Sequence, residues 1–264
     1  MARSLSVLDG GTSHWRLYEF AASGNLTDQL EISPQPAIEL TELGRGQLKV
    51  CAGMLTSATG LFETSYRATP APIMCPRDLW MALDGWHFLP GVVDHENYAM
   101  MRGEDLLLMD AVEVYGDGWY VLPGTHSKWV NIKAGQIMAI RSFITGELRA
   151  QLLAGPSLSG LSSGHAEATF TPIGNLSLPI SEFVFQLRYC WQHHGVSVAQ
   201  IEVSLTQRLI ADEFQRMNEN IERLIVVSDR AWAQQYITLA KHYGVSATFH
   251  RLDPAANFKH MVNN

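Results

Sequence analysis

The chain opens with short apolar segments separated by turns of small residues, the pattern of strands. Ser4 to Asp9 predicts a first strand, and His14 to Phe20 a second, with alternation at Trp15 and Leu17 and with Glu19 facing out. Asn25 to Ile32 predicts a third after the Ser23-Gly24 turn. Glu39 to Ala52 has the composition of a helix, although Gly44 and Gly46 interrupt it. From Thr69 to Pro90 the prolines at 70, 72, 76 and 90 predict loop and short strand.

Glu104 to Val114 changes period: Leu107, Leu108, Ala111 and Val112 gather on one face of a helix. Trp119 to Pro123 is again strand-like and runs into the turn Gly124-Thr125-His126-Ser127. Trp129 to Ile132 and Gln136 to Arg141 continue as an antiparallel meander joined at Lys133-Ala134-Gly135. Beyond Thr145 the pattern is mostly helical, at Gly146 to Leu153, Ile180 to His193, Val198 to Arg216 and Ala231 to Tyr243. The short apolar run Leu224 to Val227 between two of these helices predicts a parallel crossover.

Composition narrows the class. A chain of 264 residues with 47% apolar and 17% charged residues can bury a large core in one or two domains. No apolar run approaches the ~18 residues of a membrane span. The opening MARSLSVLDGG lacks the apolar core and cleavage site of a secretory signal, so a cytoplasmic address is expected. A formal net charge of −7 argues against a nucleic acid or an anionic membrane as partner. Small anionic ligands remain compatible, since local donors such as Arg102 or Lys128 hold them whatever the overall sign. Cys51, Cys75 and Cys190 are widely spaced and read as small apolar residues, and Cys190 to His194 has no second ligand pair for a metal.

The candidate chemistry lies at two turns. A strand, a turn of glycine and hydroxyl residues, and a return strand expose several backbone N–H groups at one point, which suits phosphate oxygens. Asp9-Gly10-Gly11-Thr12-Ser13 heads the first half of the chain, and Pro123-Gly124-Thr125-His126-Ser127 heads the second. A carboxylate at such a strand end, here Asp9, can hold Mg²⁺ through water. The chain is therefore read as two α/β domains, residues 1–115 and 116–264.

Two such turns resemble those of the actin, hexokinase and Hsp70 superfamily. Leu122 to Val130, with Gly124-Thr125-His126-Ser127-Lys128-Trp129, resembles the central motif of the 2-dehydro-3-deoxygalactonokinases. Ser142-Phe143-Ile144-Thr145-Gly146-Glu147-Leu148 follows at that family's spacing. Met101-Arg102-Gly103-Glu104-Asp105 is similar to its Arg-Gly-Glu-Glu motif. Gly53-Met54 with Ser57, Gly60 and Tyr66 fits another of its frames, and Asp9 to Arg16 fits its N-terminal hairpin. The resemblance covers residues 5 to about 155. It implies an actin/hexokinase-like (ribonuclease H-like) α/β fold, with mixed sheets, β-hairpins, flanking helices and a cleft between two ATPase-type domains.

The resemblance also implies an activity: ATP-dependent phosphorylation of the terminal hydroxyl of 2-dehydro-3-deoxygalactonate, or a close 2-keto-3-deoxy sugar acid, in galactonate breakdown. Its cofactors would be ATP and Mg²⁺, and a homodimer is left open. Glu104 would be the catalytic base, with Asp105 as the alternative. Asp9 would organise the metal. Gly10, Gly11, Thr12 and Ser13 from one side, and Gly124, Thr125, Ser127 and Lys128 from the other, would hold the nucleotide. Arg16, Met54, Ser57, Arg102, Thr145 and Glu147 would line the sugar acid.

Departures from the family pattern stand beside these matches. Gln207, Ala211 and Val227 replace glycines expected near the adenosine, Thr56 and Ala58 replace a glycine and an arginine, and Gly10 replaces a tryptophan. They leave open a second reading, a catalytically weakened paralogue that binds a sugar acid as a regulatory protein.

Overall fold

The computed structural model describes residues 3–10, 15–32, 43–52, 66–158, 174–217, 220–258 and 261. Its first strands are β1 (Leu5–Gly10), β2 (Trp15–Phe20), β3 (Leu26–Ile32) and β4 (Leu48–Ala52). Short strands follow: β5 (Arg67–Ala68), β6 (Ala71–Pro72), β7 (Met81–Leu83), β8 (Trp86–Phe88), β9 (Val92–Asp94) and β10 (Ala99–Met101). A 3-10 turn at Leu106–Leu108 leads into α1 (Met109–Tyr115). Then come β11 (Gly118–Leu122), β12 (Ser127–Lys133), β13 (Gln136–Phe143), α2 (Thr145–Ala154), α3 (Ile180–His194) and α4 (Val198–Arg216). The chain ends through β14 (Arg223–Ser228), α5 (Arg230–His242), β15 (Ser246–Arg251) and α6 (Pro254–Phe258).

Alternation in the first sheet explains its burial. The sheet runs β3-β2-β1-β4-β8-β7, with β1 antiparallel to β2 and parallel to β4. Leu5 and Val7 of β1, Tyr18 and Phe20 of β2, and Leu48 and Val50 of β4 join Leu106, Met109 and Phe258 in one core. The intervening residues Leu8, Leu17 and Cys51 meet Trp86 and Phe88 in a second core on the opposite face. β3, with most of its residues exposed, is the outer edge.

Two expectations fail here for reasons of packing. The helix expected over Glu39 to Ala52 is, in its described part, an irregular approach to β4. Gly44 has φ +74°, and a Cβ on Gly46 would lie 2.5 Å from the Ser6 backbone nitrogen. Those glycines let the chain press against β1 instead of coiling. Glu19, expected to face out, is 5% exposed, because the Ser6 hydroxyl donates to it at 2.7 Å and the Arg45 N–H at 3.0 Å.

The second half repeats the plan. Its sheet runs β15-β14-β11-β12-β13-β6, with β11, β14 and β15 parallel. A meander followed by parallel crossovers thus gives the same strand order as β3-β2-β1-β4-β8. α4 begins where Ser197 and Gln200 form a reciprocal capping box, and α5 where the Asp229 carboxylate accepts the Trp232 N–H at 3.0 Å.

Contact density groups residues 1–118, 130–141 and 252–264 into one compact unit, and 119–129 and 142–251 into a second. The sequence reading drew a single break after residue 115; the observed division is discontinuous. Among the described residues no helix is long and apolar enough to cross a membrane.

Candidate functional site

In the first unit the site is built on the end of β1. Asp9 pairs with Arg16, and Gly10 with Trp15, across the β1–β2 ladder. Burial pushes the Asp9 carboxyl up to about 6, the negative charge of Glu104 adds to the rise, and Arg16 opposes it. Arg16 itself lies 4.0 Å from the Glu31 carboxylate on the half-exposed side of the hairpin.

Glu104 reaches this neighbourhood from a tight turn after β10. Gly103 adopts φ +103°, open to glycine, and its carbonyl accepts the Leu106 N–H at 3.1 Å. The Glu104 carboxylate folds back to accept the backbone N–H of Arg102, which fixes its rotamer. Asp105 has a different partner. It is buried against Arg67, whose guanidinium donates to it at 2.5 Å and to the carbonyls of Pro72 at 2.5 Å and Pro90 at 3.4 Å. Of the two acidic residues expected to compete for the base role, Asp105 is in this interior ion pair, and Glu104 is the one whose charge acts on Asp9.

A raised carboxylate carries a stability prediction. Asp9 binds its proton more tightly folded than unfolded, so its contribution is fully present below about pH 4 and lost as pH rises through about 6. Asp9→Asn removes that loss. The ligand-free variant is expected to gain about 1–3 kcal/mol over the wild type at pH 8 and almost nothing at pH 4. Urea unfolding at the two pH values checks this; a gain equal at both would show that Asp9 does not titrate as described.

In the second unit the turn after β11 is clamped from one side by the start of α2. The Glu147 N–H donates to the Thr125 carbonyl at 2.9 Å. A Cβ on Gly146 would lie 2.2 Å from the Gly124 carbonyl oxygen, so only glycine allows this approach. Thr125 is exposed, a Cβ on Gly124 would meet the His126 carbonyl oxygen at an ordinary 3.8 Å, and the His126 ring meets the Glu147 carboxylate at 2.8 Å.

The side chains on either flank of the turn are buried and hydrogen-bonded within the protein. Ser127 is buried with its hydroxyl 2.9 Å from the Tyr236 hydroxyl, and the Thr145 hydroxyl donates to buried Glu213. Lys128 is buried too, and its ammonium donates to the Ser142 hydroxyl at 3.2 Å. Sequence reading missed Glu213 and Tyr236. The available signal was a lone carboxylate, Glu213, on the apolar stripe formed by Leu209, Ile210 and Phe214.

Gly11, Thr12, Ser13, Met54 and Ser57, with the replacements Thr56 and Ala58, lie outside the described residues. Gln207, Ala211 and Val227 have their side chains packed inside the second unit, and the Gln207 amide donates to Gln235 at 2.8 Å. Among the described residues no group of three or more His, Cys, Asp or Glu side chains gathers for a metal.

Comparison with known proteins supplies the context. The family model described as 2-keto-3-deoxy-galactonokinase matches residues 9–258. The 2-dehydro-3-deoxygalactonokinase of Escherichia coli (strain K12) is 38% identical over 107 residues, which cover 39% of this chain and 37% of that relative. The sequence match thus spans little more than a third of the relative's length. A Sinorhizobium meliloti crystal structure, described as a candidate 2-dehydro-3-deoxygalactonokinase, overlays with a TM-score of 0.77 at 21% identity, covering 98% of this chain and 97% of that one. The activator of the 2-hydroxyisocaproyl-CoA dehydratase from Clostridium difficile, solved with bound ADPNP, overlays at 0.56 with 8% identity, covering 98% and 93%. The repeated strand order and these overlays place the fold in the actin/hexokinase-like α/β class expected from the sequence.

Proposed function

The chain belongs to the 2-keto-3-deoxy-galactonokinase family, and on that premise we propose that it transfers the terminal phosphoryl group of ATP to a hydroxyl of 2-dehydro-3-deoxygalactonate in the cytoplasm. The observation that carries the reading is the family match over residues 9–258, within which the charge of Glu104 acts on Asp9 at the end of β1.

Phosphoryl transfer asks a protein mainly for positioning, neutralisation of charge and a proton acceptor at the attacking oxygen. Glu104 meets the last need: it is partly accessible, ionisable and held in one rotamer by the Arg102 N–H. The Gly124-Thr125 turn, backed by α2, offers backbone donors to phosphate without side-chain reach. Arg102 and Arg16 supply cations for the sugar-acid carboxylate.

Magnesium fits the donor set. It binds through one or two carboxylates and keeps several waters, and Asp9 is a hard-oxygen donor whose buried charge a cation would relieve. Asp9 would hold it, and the ion would neutralise phosphate charge. Glu104 takes the hydroxyl proton as the oxygen attacks.

A coupled assay of ADP release with Mg-ATP and a panel of 2-keto-3-deoxy sugar acids tests this. Release that depends on the sugar acid, fastest with the galactonate form, is expected. No release by folded protein at millimolar ATP would overturn the kinase reading.

A further inference from the structure

Glu213 sits in α4 with 1% of its surface exposed, between elements distant in sequence. One carboxylate oxygen accepts the hydroxyl of Thr145, the first residue of α2. The other accepts the indole N–H of Trp129 in β12 at 2.7 Å and the hydroxyl of Tyr236 in α5 at 2.8 Å. Because the Tyr236 proton is used on Glu213, the 2.9 Å contact with Ser127 runs from the Ser127 hydroxyl to the Tyr236 oxygen.

All of these donors are neutral. Burial pushes the Glu213 carboxyl up, and its hydrogen bonds pull the other way. A buried carboxylate served only by neutral donors adds little stability over an apolar side chain of the same shape. It adds direction, because each donor must point at a particular oxygen.

The directions converge on the Gly124 turn. Thr145 leads into Gly146 and Glu147, which contact the Gly124 and Thr125 carbonyls. Ser127 and Trp129 begin the strand on the turn's other side. We infer that Glu213 is the positioning residue of the Gly124–Lys128 turn, gripping it from both ends and thereby setting where the nucleotide phosphates are held. The identity of that ligand rests on the kinase reading above; the grip itself does not.

Glu213→Gln and Tyr236→Phe, made in the full chain, test this with two readouts. Amide hydrogen exchange over residues 122–130 and 143–149 is expected to speed up about tenfold or more, with residues 5–20 unchanged. The KM for Mg-ATP is expected to rise about tenfold or more, with the KM for the sugar acid held within about twofold. Unchanged exchange in the turn, or faster exchange spread evenly over the chain with both KM values moving alike, would overturn the inference. If Glu213→Gln does not fold, Tyr236→Phe and Thr145→Val decide it by the same readouts. If the wild type releases no ADP, the kinase reading falls, and the exchange rates alone decide whether Glu213 holds the turn.

Discussion

Glu104→Gln is expected to lower kcat by about 10²–10⁴-fold, the contribution of a positioned general base. The amide keeps an oxygen where the carboxylate now accepts the Arg102 N–H, so the turn after β10 holds its shape. The affinity for the sugar acid is expected to stay within a few-fold, because the substitution changes neither volume nor the neighbouring arginines. A second consequence is electrostatic. The Glu104 charge is one of the two influences that raise Asp9 to about 6, so its removal should bring the Asp9 pKa down while burial keeps it above the ordinary value. Steady-state kinetics and a titration of Asp9, followed by carboxyl NMR in wild type and variant, check both halves. Wild-type turnover in Glu104→Gln would remove Glu104 from proton transfer, and an unmoved Asp9 would show that the two carboxylates do not interact.

How far such residues can be found without coordinates depends on what their signals are made of. β2 was legible because Trp15 and Leu17 alternate along it, and α4 because Val198 to Arg216 has a long helical pattern. β4 was not. Leu48 to Ala52 is a short, mostly apolar run, and such a run fits a helix as well as a strand. Only its contacts with β1 settle the matter, and these depend on Gly44 and Gly46 pressing on Ser6. β15 escaped for the opposite reason: its residues are small, polar or half exposed, and only its parallel pairing with β14 makes them a strand.

The site divides along the same line. The turn at Gly124 and the acidic pair at 104 and 105 are local in sequence, so their chemistry could be read directly. What each side chain does is set by partners far along the chain. Asp105 meets Arg67, 38 residues away, and Thr145 meets Glu213, 68 residues away. Spacing holds no trace of such pairs. In the folded chain the Ser127 hydroxyl meets Tyr236 and the Thr145 hydroxyl meets Glu213.

The pair of Arg67 and Asp105 yields the largest stability effect expected for this protein. Their side chains are 5% and 4% exposed, so removing either leaves the other as a buried charge without its counter-ion. Arg67→Met is expected to cost about 3–5 kcal/mol, and Asp105→Leu a similar amount. The double variant Arg67→Met, Asp105→Leu leaves no charge behind and should recover most of the loss, because apolar pairs often replace buried ion pairs with little penalty. The midpoints of urea unfolding for the four proteins form a double-mutant cycle that measures this coupling. The same double variant separates the two acidic residues. With stability restored and Asp105 gone, turnover within about tenfold of wild type is expected if Asp105 only anchors the turn that carries Glu104. A stable but inactive double variant, with Glu104 intact, would return Asp105 to the chemistry.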